Sequence, residues 1–388
     1  MRVASLVVVC VLALAPPHIA TAAPHRPASD DEIVETLPAG ARQSDRAARA
    51  LRAATARNPR NLDLALRLAT LDIARARLDA DPRPLGRAQA TLAPWWDATD
   101  APVPVLVLRA TIEQSGHAFD AAAADLERAL ARDPGNAQAW LTLTSVRQVT
   151  GDLDRAVESC RRLGDVASPS LARTCEAGID AVSGNAAAAY DALDRAKPAF
   201  ARDTALLVWA TTLQAECAER LARAGDAERH YRDSLALDPR DVYTIAAYAD
   251  FLIDADRDAD VLAMIPRDTP VDILLLRRVQ AARRSGAAGA AAEADELAQR
   301  FDALRARGDR VHLREEARFT LDVLDRPNDA LALALENWRV QKEPLDARIA
   351  LEAALAARQP EAVREIVRSI ERTHLEGERI AALAAAVR

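Results

Sequence analysis

The stretch NAQAWLTLTSVRQVTGDLDRAVESCRRL, residues 136–163, decides the fold of this chain. Trp140 and Leu143 are three residues apart, which places both side chains on one face of a helix. Gly151 follows in a short turn, where its tolerance of positive φ permits a tight reversal. Ala156 comes next and is small enough to let a second helix approach the first closely. The spacing therefore predicts a pair of antiparallel helices.

The same pattern recurs along the chain with a nearly constant period. A motif of one small residue, three others and a large residue follows each turn, and its first residue is Ala122, Ala156, Ala189, Ala227, Val261, Ala294, Ala330 or Val363. The successive intervals are 34, 33, 38, 34, 33, 36 and 33 residues. A period of this length is typical of helical repeats, in which each unit buries its apolar face against its neighbours.

The period and its motif residues resemble the tetratricopeptide repeat (TPR) family, whose unit is a helix–turn–helix of about 34 residues. Trp140-x-x-Leu143 matches the first helix of the family motif, Ala156-x-x-x-Cys160 matches the second, and Pro169 ends the unit. The repeat-defining residues are Trp140, Leu143, Gly151, Ala156, Ala189, Ala227 and Tyr231. The resemblance implies an all-α fold, an α-solenoid of about eight or nine stacked antiparallel helix pairs. An irregular helical bundle is the alternative.

The N-terminal residues predict export. Residues 1–22 have the pattern of a secretory signal peptide, with Arg2 before an apolar run and small residues leading to cleavage near Ala22. The apolar run is shorter than the ~20 residues of a membrane-spanning helix, which argues against an anchor. The other segments are a linker at 23–43, divergent helical repeats at 44–100, TPR-like repeats at 101–266, and degenerate repeats with a C-terminal helix at 267–388.

Composition narrows the compartment and the partners. We expect a periplasmic or secreted protein of a Gram-negative-type bacterium, with no transmembrane segment after cleavage of the leader. The formal net charge is −7, and no block of basic residues stands out. Nucleic acid is therefore a poor candidate partner, because binding to phosphate backbones needs clustered Lys and Arg.

In the TPR family, the first helix of each pair lines a concave groove that binds peptides or partner helices. The resemblance implies such a groove here, with a protein partner of unknown identity. The expected groove residues are Gln138, Gln148, Tyr243, Asp250, Gln280, Arg283, His312, Glu315, Asp322, Arg348 and Glu352. A solvated helix face is the alternative. These positions lack the Lys and Asn with which some TPR domains clamp a terminal carboxylate, which disfavours that chaperone-type role.

One group of residues suggests a metal site. His312 lies near Glu315, Glu316 and Asp322 in the sequence, and these are residue types that bind metals. A lone His beside carboxylates on a charged helix is more often solvated or ion-paired. We therefore predict no metal and no cofactor.

Two other stretches also have plain explanations. Residues 254–260, DADRDAD, resemble the start of a calcium loop, but Ala259 and Ile265 stand where that loop needs Gly and Glu. Asp is common at helix starts, so we interpret the run as helix capping. Trp95 and Trp96 are expected to be buried at a helix end, and an exposed partner-anchoring site is the alternative.

The chain after the leader keeps three cysteines, and two of them are placed to pair. Cys160 lies in the second helix of one repeat, and Cys175 lies in the first helix of the next. Their positions along the two helices differ by about one turn, and thiols tend to pair in an oxidising compartment. We predict a disulfide between Cys160 and Cys175 and a free thiol at Cys217.

No catalytic motif is found in the sequence. There is no Gly-x-Ser-x-Gly, no phosphate-binding loop and no His-Glu-x-x-His. We therefore expect a non-enzymatic protein–protein interaction scaffold of the cell envelope. The alternative is a protein that handles a ligand or a metal in the same groove. A further possibility is that residues 23–100 form a separate helical module.

Overall fold

The computed structural model describes residues 39–388. The expected signal peptide and the linker up to residue 38 lie outside the described residues. Residues 51–388 form one compact unit, and residues 39–50 belong to another. The packing described below is that of the larger unit.

The described residues contain twenty-one α-helices and no β-strand, in agreement with the all-α prediction. The helices are α1 Ala39–Arg57, α2 Leu62–Asp79, α3 Arg83–Thr91, α4 Ala93–Trp96, α5 Val103–Ser115, α6 Phe119–Arg132, α7 Ala137–Val149, α8 Leu153–Val166, α9 Pro169–Asp180, α10 Ala186–Ala196, α11 Thr204–Arg220, α12 Ala224–Leu237, α13 Val242–Asp254, α14 Asp258–Met264, α15 Asp272–Ser285, α16 Ala290–Ala306, α17 Leu313–Asp322, α18 Pro327–Trp338, α19 Pro344–Ala356, α20 Arg364–Thr373 and α21 Glu378–Ala386. None of these described helices combines the length and apolarity needed to cross a membrane.

Polar side chains and glycine set the helix ends where the repeat pattern places turns. The Asn136 side chain accepts a hydrogen bond from the amide of Ala139 at 3.0 Å, and Asp241 does the same for Thr244 at 2.9 Å. These bonds satisfy amides that have no partner inside the helix. Gly151 has φ of +80° directly after α7, which is the conformation the sequence pattern requires at that turn.

Consecutive helices pack against each other as pairs. Nine pairs occur among the described residues: α2–α3, α5–α6, α7–α8, α9–α10, α11–α12, α13–α14, α15–α16, α17–α18 and α19–α20, numbered here as pairs 1 to 9. Within residues 51–388 the first helices of neighbouring pairs also contact one another, as α5 with α7 and α15 with α17. The fold is a solenoid of helix pairs, and the prediction of this architecture is confirmed.

The periodic small residues occupy the tightest positions between helices. Those with no exposed surface are Ala122, Ala156, Ala189, Ala227, Val261, Ala330 and Val363. Ala294 departs from this pattern and is half-buried, next to the buried carboxylate of Glu293. Because a small side chain brings two helices close together, the period read from the sequence is the period of helix packing.

The segment with the weakest repeat pattern belongs to the same stack. Ala69, Ile73 and Leu92 are buried in one apolar cluster with residues of α5, α6 and α7. The helices α2 and α5 are also in direct contact. The possibility of a separate helical module is therefore wrong for residues 62–96, because their apolar faces are buried against pair 2.

Candidate functional site

The expected groove residues differ in accessibility. They lie on the first helices α7, α13, α15, α17 and α19, except for His312, which directly precedes α17. The exposed residues are Gln138, Tyr243, Arg283 and Asp322; the half-buried ones are Gln148, Asp250, His312, Arg348 and Glu352; the buried ones are Gln280 and Glu315. The inner face, meaning this face of the first helices, is therefore accessible in part.

The expected accessible position is wrong for Gln280 and Glu315. Gln280 is 3% exposed, because its helix α15 packs against both α13 and α17, and its amide donates a hydrogen bond to Asp322. Glu315 is 8% exposed and lies in the first turn of α17, which packs against α15 and α19. Neighbouring first helices cover these two side chains, and a helical periodicity alone does not predict such cover.

Asp250 is at the centre of a buried ion-pair network. It accepts hydrogen bonds from Arg277 at 2.9 and 3.1 Å and from Arg318 at 2.7 Å. The Arg277 and Arg318 side chains are only 3% and 6% exposed. Burial acts to raise the pKa of Asp250, but the two guanidinium groups outweigh it and lower the pKa to about 2. The network joins pairs 6, 7 and 8, so Asp250 stabilises the stack and is not free to bind a partner.

A second network joins α13 to the C-terminal helices. Arg348 donates bidentate hydrogen bonds to the Asp254 carboxylate, with a distance of 2.6 Å between Nη2 and Oδ1. Arg379 of α21 donates to the same carboxylate at 3.1 Å and to Glu352 at 2.7 Å. Arg348 also donates to Glu352 at 3.0 Å. Sequence reasoning missed Asp254 and Arg379 as partners, since 125 residues separate them and no local pattern links them.

Tyr243 is the large aromatic residue that the inner face exposes most. Its side chain is 61% exposed, and its hydroxyl donates to Glu216 Oε1 at 2.6 Å. Burial raises the pKa of Glu216, and Arg220, one turn further along α11, partly opposes this effect. The hydrogen bond fixes the orientation of the ring while leaving its face open to solvent.

A buried carboxyl group lies next to this position. Tyr231 is 1% exposed and its hydroxyl donates to Glu219 Oε1 at 2.7 Å. Burial raises the pKa of Glu219 to about 8, although the hydrogen bond from Tyr231 acts in the opposite direction. Glu219 therefore takes up a proton near neutral pH, which nothing in its sequence context indicates.

The structure gives no support to a metal site at His312. Within residues 39–388, no group of three or more His, Cys, Asp or Glu side chains is placed to hold a metal ion. Glu316 is ion-paired with Arg305, and Asp322 is ion-paired with Arg318. Guanidinium groups thus hold two of the three carboxylates that the sequence places near His312.

The aspartates of the stretch 254–260 are also ion-paired. Asp256 and Asp258 both contact Arg284, with the nearest N–O distance to Asp258 being 3.0 Å. Asp260 pairs with Arg257 at 2.6 Å. The run leads into α14, but no side chain of it caps this helix by a hydrogen bond, so the aspartates pair with arginines instead of capping as expected.

Trp95 and Trp96 are partly buried against the apolar cluster of pairs 1 to 3. They form most of the single-turn helix α4, and the carbonyl of Trp96 accepts a hydrogen bond from the buried Arg109. The pair therefore helps to connect α3 to α5, and both residues are half-buried.

Cys160 and Cys175 are joined by a disulfide between α8 and α9, with Cα atoms 5.8 Å apart. Cys217 is a free thiol, fully buried in α11. Burial raises the pKa of Cys217 to about 12, so its thiol is unreactive at neutral pH.

Sequence reasoning also missed a contact between distant repeats, called here the seam. It joins the loop after α18 and the loop after α20 to the turns that follow α7 and α9. The backbone amide of Lys342 donates to the carbonyl of Val149 at 2.8 Å, and its Nζ donates to the carbonyl of Thr150 at 3.0 Å. Glu376 accepts from the amide of Ala186 at 2.8 Å and so caps α10 from 190 residues away.

One larger cavity lies at the side of the stack. Its volume is about 370 Å³, and it opens between the turn after α5 and the loop before α17. His117, Arg310, Leu313 and Glu336 are among its lining residues. Arg310 is ion-paired with Glu336 across it at 2.5 Å, so these two charges already satisfy each other.

Comparisons with known proteins point to one family. Residues 116–172 match a family model described as tetratricopeptide repeat. No curated protein matches the chain in sequence.

Three of the solved structures that align with the chain share 11%, 16% and 20% sequence identity with it. The type IV pilus biogenesis factor PilW is 16% identical, with 72% of this chain and 97% of that chain covered and a TM-score of 0.37. The TPR protein TTC0263 of Thermus thermophilus is 20% identical, with 49% and 97% covered and a TM-score of 0.39. Yeast Tom70 is 11% identical, with 89% and 86% covered and a TM-score of 0.41.

The matched segment corresponds to the second helix of pair 2, the whole of pair 3 and the start of pair 4. The same architecture of stacked helix pairs extends from α2 to α20 on either side of that segment. Residues 116–172 are therefore similar to the tetratricopeptide repeat family, and the helix pairs on either side share the architecture of that segment.

Proposed function

We propose that this chain is a non-enzymatic scaffold of the bacterial cell envelope that binds a protein partner on the inner face. Tetratricopeptide repeat proteins are generally non-catalytic and bind other proteins. The observation that carries the proposal is an exposed, oriented aromatic residue, Tyr243, on a first helix of the stack. The partner is expected to be a helix or an extended peptide that lies along the first helices.

Two side chains of the inner face have the properties of binding residues. Tyr243 exposes its ring while Glu216 holds its hydroxyl, so little side-chain entropy is lost when a partner packs on it. Arg283 is exposed at the end of α15 and forms no ion pair within the described residues. Tyr and Arg are the residue types that most often dominate binding energy at protein interfaces, together with Trp.

The envelope location rests on sequence features. Residues 1–22 have the pattern of an export signal. The disulfide between Cys160 and Cys175 fits an oxidising compartment, because such bonds rarely persist in the bacterial cytosol. Fractionation of cells that express the full chain tests this part, and recovery of uncleaved protein in the cytoplasm would contradict it.

The structure decides which substitutions test the inner face. Asp250 and Glu315 are unsuitable, because one is ion-paired in the stack and the other is buried. We suggest Tyr243→Ala and Arg283→Glu, with Arg195→Glu as the control. Arg195 is likewise exposed in the last turn of its helix, but it lies on the outer helix α10.

The experiment is partner capture from envelope extracts, followed by mass spectrometry. Tyr243→Ala and Arg283→Glu are expected to reduce recovery of the same partner at least tenfold, whereas Arg195→Glu retains it. Equal recovery with all three variants would contradict the inner-face proposal.

A small-molecule role is the second candidate, and it rests on the cavity of about 370 Å³ beside Arg310. Thermal denaturation in the presence of metal ions and small envelope sugars tests it. A rise in melting temperature that disappears in Arg310→Ala would favour this role. No rise with any of these compounds would leave the scaffold as the supported function.

A further inference from the structure

The seam joins parts of the stack that its repeat architecture does not require to touch. In a solenoid, each repeat needs only its neighbours to bury its apolar face. Here pair 9 and the C-terminal residues contact pairs 3 and 4 through Lys342, His374 and Glu376. The ion pairs of Arg348 and Arg379 with Asp254 in pair 6 join the same C-terminal residues to the stack, and we include them in the seam.

The composition of the seam distinguishes it from the packing between neighbouring repeats. Its direct bonds are polar, and the Asp254 and Arg379 side chains are 31% and 53% exposed, so salt screens their attraction. A cavity of about 40 Å³ lies inside the seam, between Leu153 and Val182 on one side and Trp338 and Ile370 on the other. Val340 adds an apolar contact, because it packs partly buried against the cluster of pairs 1 to 3. A contact that is mainly polar, solvent-accessible and imperfectly filled separates more easily than the apolar core of a helix pair.

The backbone at the seam is shaped for close approach. Gly151 has φ of +80°, and a Cβ atom there would lie 3.0 Å from Cδ of Lys342. Gly184 has φ of +81°, and a Cβ atom there would lie 2.8 Å from Cβ of His374 and 3.0 Å from its carbonyl oxygen. Glycine at both turns therefore lets two separate loops of the C-terminal part reach the backbone of pairs 3 and 4.

The seam also engages residues of the inner face. Arg348 and Glu352 of α19 are held by Asp254 and Arg379. Gln148 of α7 lines the cavity inside the seam. With the seam closed, these three side chains contact the chain itself, and this part of the inner face is not available to another protein.

We infer that residues 339–388 form a clasp, which closes on pairs 3, 4 and 6 through the seam and opens without unfolding of any helix pair. The opening breaks the ion pairs of Arg348 and Arg379 with Asp254 and uncovers Gln148. The ion pairs of Glu352 with Arg348 and Arg379 lie within the clasp and remain. The idea that this opening controls access of a partner protein rests on the proposed function, whereas the opening itself does not. The clasp is tested without any partner, so its failure and the failure of the scaffold proposal are distinguishable.

Two backbone amides report directly on the seam, and hydrogen exchange measures them. The amide of Lys342 is bonded to Val149, and that of Ala186 is bonded to Glu376. The test variant is the full chain with Asp254→Lys, because a lysine at this position repels Arg348 and Arg379. The matched control is Asp165→Lys, an exposed position in the last turn of α8 and away from the seam.

The expected result is that Asp254→Lys speeds exchange at Lys342 and Ala186 by about tenfold, in step with each other. Exchange at Leu143, inside α7, remains unchanged, and Asp165→Lys alters none of the three. The wild-type protein at high salt is the second arm, and it is expected to accelerate the same two amides. Seam amides as slow as Leu143 in every condition, or acceleration of all three together, would overturn the clasp.

Access to the inner face is measured separately by labelling Gln148→Cys with a maleimide. The buried Cys217 does not compete, because its raised pKa keeps the thiol protonated. Labelling is expected to be about tenfold faster when Asp254→Lys is added and unchanged when Asp165→Lys is added. Equal labelling rates in all three proteins would show that the seam does not cover this face.

Discussion

At the level of single residues, burial and charge shift two carboxyl groups in opposite directions. Asp250 and Glu219 both lie on first helices, but only Asp250 is held between two guanidinium groups. The pKa of Asp250 is lowered to about 2, and that of Glu219 is raised to about 8. Stability therefore depends on pH at both ends of the range, with opposite signs for the two residues.

The first prediction concerns Asp250. Because its pKa is lower in the folded protein than in the unfolded chain, its contribution is complete above about pH 4 and is lost as the pH falls toward 2. Asp250→Asn leaves Arg277 and Arg318 buried without their anion, so we expect a loss of about 3 kcal/mol at pH 7. Thermal unfolding between pH 2 and pH 7 checks this, and the difference between the two proteins should shrink at the acidic end.

The second prediction concerns Glu219, whose pKa is higher in the folded protein. Its contribution is complete below about pH 4.5 and is lost as the pH rises through about 8, because the unfolded chain releases the proton first. Glu219→Gln keeps the acceptor for Tyr231 and cannot ionise. The stability of the variant minus that of the wild type is expected to be roughly 3 kcal/mol larger at pH 8 than at pH 5. Parallel pH profiles of the two proteins would contradict the buried carboxyl group.

At the level of elements, the disulfide fixes the connection between α8 and α9. It closes a loop with a sequence separation of 15 residues, which corresponds to about 3 kcal/mol of stability in the unfolded-chain entropy account. The double variant Cys160→Ala, Cys175→Ala should therefore melt at a lower temperature than the oxidised wild type. A reducing agent should lower the wild-type melting temperature and leave the variant unchanged, and an equal response of both would contradict the bond.

The glycine turns allow a matched comparison between two sites. Gly184 and Gly286 both have positive φ, at +81° and +66°, but nothing lies within 4 Å of a Cβ atom at Gly286. Gly286→Ala is expected to cost about 1 kcal/mol for backbone strain alone. Gly184→Ala is expected to cost at least about 1 kcal/mol more, because the new Cβ atom meets His374. Chemical denaturation measures both, and equal losses would show that the seam contact is not made.

The sequence predicts the elements well because helix pairing is governed by local spacing. The small residues of the period, such as Ala156 and Ala227, are fully buried, and the helices begin at capping residues such as Asn136. The spacing of the cysteines likewise anticipates the bond between α8 and α9. These features all lie within one repeat or two neighbouring repeats.

The candidate site is predicted less completely, because it depends on contacts between distant repeats. The stripe pattern places Gln280 and Glu315 on an accessible face, yet neighbouring helices cover both of them. Asp254 and Arg379 have no pattern that links them, and neither do Lys342 and Val149. A period of about 34 residues describes one repeat and its neighbours, and it carries no information on where the stack meets itself.

At the level of the whole molecule, the proposed binding surface is the inner face of the first helices, and the proposed clasp covers the part of this face around Gln148. The most direct test places a photo-crosslinking amino acid at Tyr243 on the inner face and, separately, at Val157 on the outer helix α8. Val157 is 40% exposed and serves as the control. We predict a discrete adduct in living cells from position 243 and none from position 157. Adducts of the same protein from both positions, or only from position 157, would contradict it.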